Sequence, residues 1–168
     1  PLQIIHPTRV VPGPDNTAPL LILDLREARI AQETPSASAN NTISFTLVAR
    51  AGIQNQSSIV ISGLTGSLTP DSLHLPVEVA VSSSFPANSS VAQSAASFAR
   101  TGRWSQADGR LQVDITGYVL PGVSYTLRFR LLNPDRGQRP PTVYIQVKGS
   151  SQVPTTRMQT AGGNGAPL

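Results

Sequence analysis

The sequence predicts an all-β chain: an immunoglobulin-like antiparallel β-sandwich with extended N- and C-terminal arms, with a jelly roll as the alternative. Three observations carry this. Seven segments alternate apolar and polar residues with period two, the mark of strands buried on one face. Turn formers punctuate them, with 15 prolines and 13 glycines in 168 residues. Helix-building composition is missing, since the chain has three glutamates and one lysine. Charged residues make up 13%, against ~25% in an ordinary soluble domain.

Residues 1–18, "PLQIIHPTRVVPGPDNTA", hold four prolines and two short apolar pieces, Ile4–Ile5 and Val10–Val11. The prolines forbid a helix, so this reads as an extended arm that needs a surface to cover its apolar residues. The domain proper is placed at 19–150. Leu20–Leu25 is a nearly continuous apolar run, read as a buried strand. Alternation follows at Ile43, Phe45 and Leu47, at Ile59 and Ile61, and at Val77, Val79 and Val81. "SGLTGS" at 62–67 is read as a tight connection. Leu111, Val113 and Ile115 form the second arm of a hairpin spanning Arg103–Ile115, turned by Asp108-Gly109, which tolerate positive φ. Pro121-Gly122 suits a type II turn. It precedes "SYTLRFRLL", where Tyr125, Leu127, Phe129 and Leu131 form a complete apolar face. A breaker-rich loop, "NPDRGQRPP", leads to the last strand at Val143, Ile145 and Val147. Residues 151–168 end in small residues and read as a flexible tail or linker.

Several function classes lose support on residue type alone. Without cysteine there is no disulfide framework, thiolate metal site or cysteine nucleophile. The two histidines, His6 and His74, are isolated, and no nucleophile elbow accompanies them. Metal-ligand spacing is absent, so neither catalytic nor metal residues are assigned, no cofactor is expected, and the chain is read as no enzyme. The net charge of +4 comes from twelve arginines and one lysine that are spread along the chain. No run approaches the ~20 apolar residues of a membrane span.

The arginines of the 124–132 strand raise a direct question. Arg128 and Arg130 lie opposite the apolar face, and by parity Tyr144 and Lys148 of the last strand point outward as well. Together they make a candidate surface patch. A nucleic-acid surface interleaves aromatics with its cations for stacking. Here the aromatics of the 124–132 strand fall on the core face, so a solvated sandwich face is the preferred reading and nucleic acid is not an expected partner. Asparagine sequons occur at Asn40, Asn55 and Asn88, in loops or at strand ends where a covalent glycan fits. The chain starts at Pro1 with no leader, which reads as a mature or excised fragment.

The runs "ISGLTGSLTPDSLHLPV" (61–77), "FARTGRWSQADGRLQVDI" (98–115) and "GVSYTLRFRLLNPDRGQRPPTVYIQVKG" (122–149) resemble a repeat module of very large secreted or surface proteins of algae and other protists. The likeness rests on the "ISGLTGS" turn, the "GRW" before a short hairpin, and the "YTLRFRLLNP" strand followed by a Pro-rich loop and a last strand. The resemblance implies an adhesive or fibre-forming extracellular β-sandwich without enzymatic role, as in mastigoneme-like appendages. The expected function is therefore a structural module of an extracellular fibre, filament or surface coat. It would assemble with copies of itself or sister modules through sandwich surfaces and through the arm residues Ile4, Ile5, Val10 and Val11. The alternatives are a glycan-binding adhesin using Trp104, Tyr118 or Tyr144, and a viral coat subunit.

Overall fold

A computed structural model of the chain describes residues 23–82, 97–160 and 168. Eleven strands form among them: β1 (Leu25–Gln32), β2 (Asn40–Ala49), β3 (Ser57–Ser62), β4 (Ser72–Pro76), β5 (Glu78–Ser82), β6 (Phe98–Ser105), β7 (Arg110–Ile115), β8 (Ser124–Leu132), β9 (Tyr144–Gly149), β10 (Val153–Arg157) and β11 (Gln159–Thr160). They build two sheets packed face to face, one in the order β11-β1-β2-β8-β5 and the other in the order β10-β9-β3-β7-β6-β4. Every pairing is antiparallel except β1 with β11, which is parallel. The predicted antiparallel sandwich is the fold.

Alternation explains the core. Tyr125, Leu127, Phe129 and Leu131 of β8 and Ile43, Phe45 and Leu47 of β2 project from one sheet. Ile59 and Ile61, Leu111, Val113 and Ile115, and Ile145 and Val147 meet them from the other. Removing this much apolar surface from water is the main stabilising term. Phe45 and Phe129 pack edge-on with centroids 6.3 Å apart, as do Phe98 and Tyr125 at 5.3 Å. The polar tips of the buried rings are matched. The Trp104 indole N–H donates to the Thr69 carbonyl at 2.9 Å, and the Tyr125 hydroxyl accepts from the Leu120 amide at 2.9 Å. The hairpin expected over Arg103–Ile115 is present, with Trp104 opposite Leu111, and Gly109 takes the left-handed conformation at φ 54.

Two boundaries differ from the sequence reading. The strand expected at Leu20–Leu25 starts at Leu25 instead, because Ala28 and Ile30 further on supply the inward residues that face the core. Positions 20–22 lie outside the described residues, as does the arm 1–18. The predicted flexible tail contains β10 and β11. Val153 is buried opposite Val147, and Met158 is buried between the two strands, so sparse but well-placed apolar residues anchor the segment to the sandwich.

Both lateral sides of the sandwich are closed by a chain that changes sheets. β4 edges the six-stranded sheet and runs through buried Val77 into β5, which edges the five-stranded sheet. β10 does the same through buried Met158 into β11. At each crossing a backbone amide is tied down: Val77 donates to the Arg100 carbonyl at 2.8 Å, and Met158 donates to the Val143 carbonyl at 2.9 Å. Pro76 and Pro154 sit in these edge strands, and both strands carry register irregularities. Short, bulged, proline-bearing edges are the usual means of discouraging edge-to-edge pairing.

Candidate interaction surfaces

Pairing registers fix which outward side chains are neighbours. On the five-stranded sheet, one row reads Ala31, Ser44, Arg128, Glu78, and the next reads Arg29, Thr46, Thr126, Ala80. Thr46 and Thr126 hydroxyls bond each other at 2.9 Å. Every glutamate of the chain is on this side. Glu27 pairs with Arg29 at 3.1 Å, Glu78 stands directly across from Arg128, and Glu33 shares a groove of about 400 Å³ with Glu78, Arg128 and Arg130. Arg29 thus has its counter-charge in contact, while Arg128 and Arg130 share a groove with carboxylates but have none within 4 Å among the described residues.

The six-stranded sheet is built otherwise. One row runs Gln146, Val60, Gln112, Arg103. The adjacent row has Arg157 opposite Tyr144, Tyr144 opposite Ser62, and Arg110 opposite Ser105. A third reads Lys148, Ser58, Asp114. Amides and hydroxyls, rather than carboxylates, are the cross-strand neighbours of Arg103, Arg110, Arg157 and Lys148. Gln112 donates to the Ser58 hydroxyl at 3.3 Å and accepts from Arg110 at 3.4 Å. At the β4 end this face dips into a groove of about 390 Å³, where Arg103, Arg110 and Gln112 share the lining with the carboxylates Asp71 and Asp108 and with Leu73. Leu73, at 72% relative exposure, is the most exposed large hydrophobic side chain among the described residues.

The patch expected from Arg128, Arg130, Tyr144 and Lys148 does not assemble. All four are exposed, but the first two stand on β8 and the last two on β9, in different sheets. They point away from each other, out of opposite faces of the sandwich. Of the aromatics named as alternatives for glycan binding, Trp104 is ruled out by its burial. Trp104 is a core residue, while Tyr118 lies in the 116–123 loop and Tyr144 on the outer face of β9. His74 stands exposed on edge strand β4. Of the sequons, Asn40 is exposed at the first position of β2 and Asn55 is exposed in the turn before β3; Asn88 lies outside the described residues, as do Ile4, Ile5, Val10 and Val11.

Sequence reading missed a buried polar lock. The Asn41 side chain, fully buried, donates to the Gln32 side-chain oxygen at 2.7 Å and to the Asn133 side-chain oxygen at 2.8 Å, and accepts from the Glu33 and Thr34 amides. Asn133 in turn donates to the Thr34 and Ser36 carbonyls. Together they fasten the 33–39 loop to the end of β8.

The parallel pairing of β1 and β11 sets the direction of the whole module. β1 starts beside Ala49 and ends beside Ile43, and β11 runs in the same sense alongside it. Leu168 then donates its amide to Gln32, the last residue of β1, at 3.0 Å. The first and last described strands therefore run in the same sense, from one pole of the sandwich towards the other. The eight residues of β1 span about 27 Å at ~3.4 Å per residue.

The sequence matches no protein-family profile and no curated protein. Among solved structures, the chain is similar to the major pilin SpaA of Corynebacterium diphtheriae, at 12% identity and a TM-score of 0.45 over 85% of this chain. It spans about a third (36%) of that pilin's length. No described helix is long and apolar enough to cross a membrane.

Proposed function

We propose that this chain is a non-enzymatic structural module of an extracellular fibre, filament or surface coat. It joins copies of itself or sister modules, as in the mastigoneme-like surface proteins of protists whose repeats it resembles. The observation that carries this reading is the parallel pairing of β1 with β11. A module whose first and last described strands run in the same sense suits successive modules set in line rather than folded back on each other. The blunted edge strands support the same reading, because a fibre of β-sandwiches must keep its strands from pairing at random. The linkage is assigned to residues 1–18, whose Ile4, Ile5, Val10 and Val11 seek an apolar surface. Exposed Asn40 and Asn55 are the positions at which a covalent glycan is accommodated.

Negative-stain electron microscopy of the native assembly, and of the purified chain with and without residues 1–18, tests this. The expected result is a filament with an axial repeat no shorter than about 34 Å, the extent of the ten-residue β2. The truncated chain should stay monomeric. Closed shells, or monomers at all concentrations for the native material, reject the proposal. Unchanged polymers after truncation move the linkage to other surfaces.

A further inference from the structure

We infer that β5 is an acceptor edge, which takes residues Leu2–Ile5 of a second copy of this chain as an added antiparallel strand. The inference rests on the reading of the chain as an in-line structural module, and it names the surface that the arm holds.

Four strands bound the two sheets, and three of them are blunted. β4 and β10 carry Pro76 and Pro154 and slip register against their neighbours, and β11 has only two residues. β5 is different. Its five residues contain no proline and pair with β8 in unbroken register, from Glu78 opposite Arg128 to Ser82 opposite Ser124. The neighbouring bonds fix where its backbone points. The Leu132 amide turns away from β2 to the Thr69 hydroxyl, and the Asn133 amide turns towards β2 to the Ala39 carbonyl. Backbone groups of successive residues alternate sides. Arg128, Thr126 and Ser124 therefore face β5, and Glu78, Ala80 and Ser82 face back. Val79 and Val81 are left with their amides and carbonyls on the outer side, where the Val77 amide also points, to Arg100. Among the described residues none bonds those outer groups of Val79 and Val81. Their side chains lie on the core face, opposite fully buried Leu127 and Tyr125, yet both stay half-buried. An unpaired edge above half-covered valines is the arrangement that an added strand completes.

Chain direction selects the donor. Residues 1–22 lead into Leu23, beside the pole where β1 begins. Glu27, Val48, Ser124 and Ser82 are in register at that pole, and β5 runs towards it from the other. In a row of modules, the arm of the next copy comes from beyond the far pole. Followed from its N-terminus it runs against β5, so the pairing is antiparallel. The chain's own arm, arriving at its own Leu23, would run with β5 in the parallel sense, which is the weaker pairing per residue. Leu2 and Ile4 are the one pair of aliphatic residues spaced by two within residues 2–11. Set opposite Val81 and Val79 they continue the core face, since directly paired residues share a face. Gln3 then lies across from Ala80 on the outer face. Ile5 lies across from Glu78, beside the groove lined in part by Leu75, Pro76 and Phe129. Pro7, which has no amide to donate, falls past the end of β5. Residues 7–22 remain to reach the donor's own body. The addition displaces no strand of the sandwich.

The chain has no cysteine, so engineered thiols report by themselves. The full chain with Gln3→Cys is mixed with a mass-tagged full chain carrying either Ala80→Cys on β5 or Thr155→Cys on the exposed edge of β10. Disulfides between the two chains are followed on non-reducing gels in oxidised glutathione. Residues opposite each other at a non-hydrogen-bonded antiparallel position have Cα atoms ~4.5 Å apart, within disulfide range. The expected result is a disulfide to Ala80→Cys that forms about ten-fold faster than one to Thr155→Cys, because pairing raises the effective concentration of the thiols. Val81→Pro removes one outward amide and no bond to β8. It should leave the thermal melt within a few degrees of the parent and abolish the excess rate. If that variant does not fold, the two disulfide rates decide alone. Equal rates at Ala80→Cys and Thr155→Cys overturn the proposal. So does a chain with both Gln3→Cys and Ala80→Cys that closes only on itself, which would put the arm on its own edge. Electron microscopy of the same samples separates this failure from that of the parent reading. Filaments that need the arm but give no excess disulfide keep the fibre module and reject β5. A specific disulfide without filaments keeps β5 as the acceptor and rejects the fibre.

Discussion

Asn41 donates a side-chain hydrogen bond of 2.8 Å to Asn133, 92 positions later in the sequence. Asn41 uses both donors and accepts twice, so the pair belongs to a satisfied buried network rather than an isolated contact. Replacing either asparagine with alanine strands the groups it served, at about 1–3 kcal/mol for each buried group left unmatched. The expected outcome is a loss of about 2–4 kcal/mol for Asn41→Ala in denaturant melts. A double mutant should cost clearly less than the sum of the singles, as residues in one network couple. Additive losses would mean that the two side chains act independently.

Phe129 and Phe45 meet edge to face in the middle of the core. Phe129→Ala should lower the unfolding free energy by about 3–5 kcal/mol, a large part of a domain's stability. A loss below about 1 kcal/mol would contradict the inward placement of this side chain.

Glycine is required at two turns for different reasons. Gly122 has φ 74 and open space around it, so Gly122→Ala should cost only the left-handed backbone strain, about 1–2 kcal/mol. At Gly109, φ 54 is combined with contact against the Leu64 and Thr65 backbone, where the Leu64 amide also bonds the Gly109 carbonyl. Gly109→Ala should therefore cost about 3 kcal/mol or more, because backbone cannot step aside as a flexible side chain can. Equal effects at the two positions would show that the β6–β7 turn is not pinned against residues 64–65.

Met158 marks the crossing from β10 to β11. Met158→Ala should cost about 2–4 kcal/mol and raise amide exchange at Gln159 and Thr160 before it does so in β2 and β8. A change under about 0.5 kcal/mol would assign the crossing to its backbone hydrogen bond alone.

The alternation of Tyr125, Leu127, Phe129 and Leu131 was legible because a half-buried strand must repeat every second residue. The same rule placed Ile43, Phe45 and Leu47 and, at short range, the Trp104–Leu111 hairpin. Parity says which residues face out of a strand, but not which sheet the strand joins. That is why Arg128 and Tyr144 were grouped, although they leave the molecule on opposite sides. β10 and β11 escaped notice because only Val153 and Met158 reach the core, one on each side of an exposed stretch that contains Pro154. The Asn41–Asn133 lock and the arginine–glutamine rows depend on pairings between distant segments. No local pattern of residues signals them.

The two sheet-changing crossings bear on how such a chain tolerates copies of itself. Domains tethered in series meet at roughly millimolar effective concentration, and identical sequences at that density are prone to exchange strands with their neighbours. Here the peripheral strands are short, β4 and β10 each carry a proline, and the chain is held at Val77 and Met158 to its own body. A crowded string of these units should keep each one's hydrogen bonding private, so a unit pulled open under load recovers its own strands instead of a neighbour's.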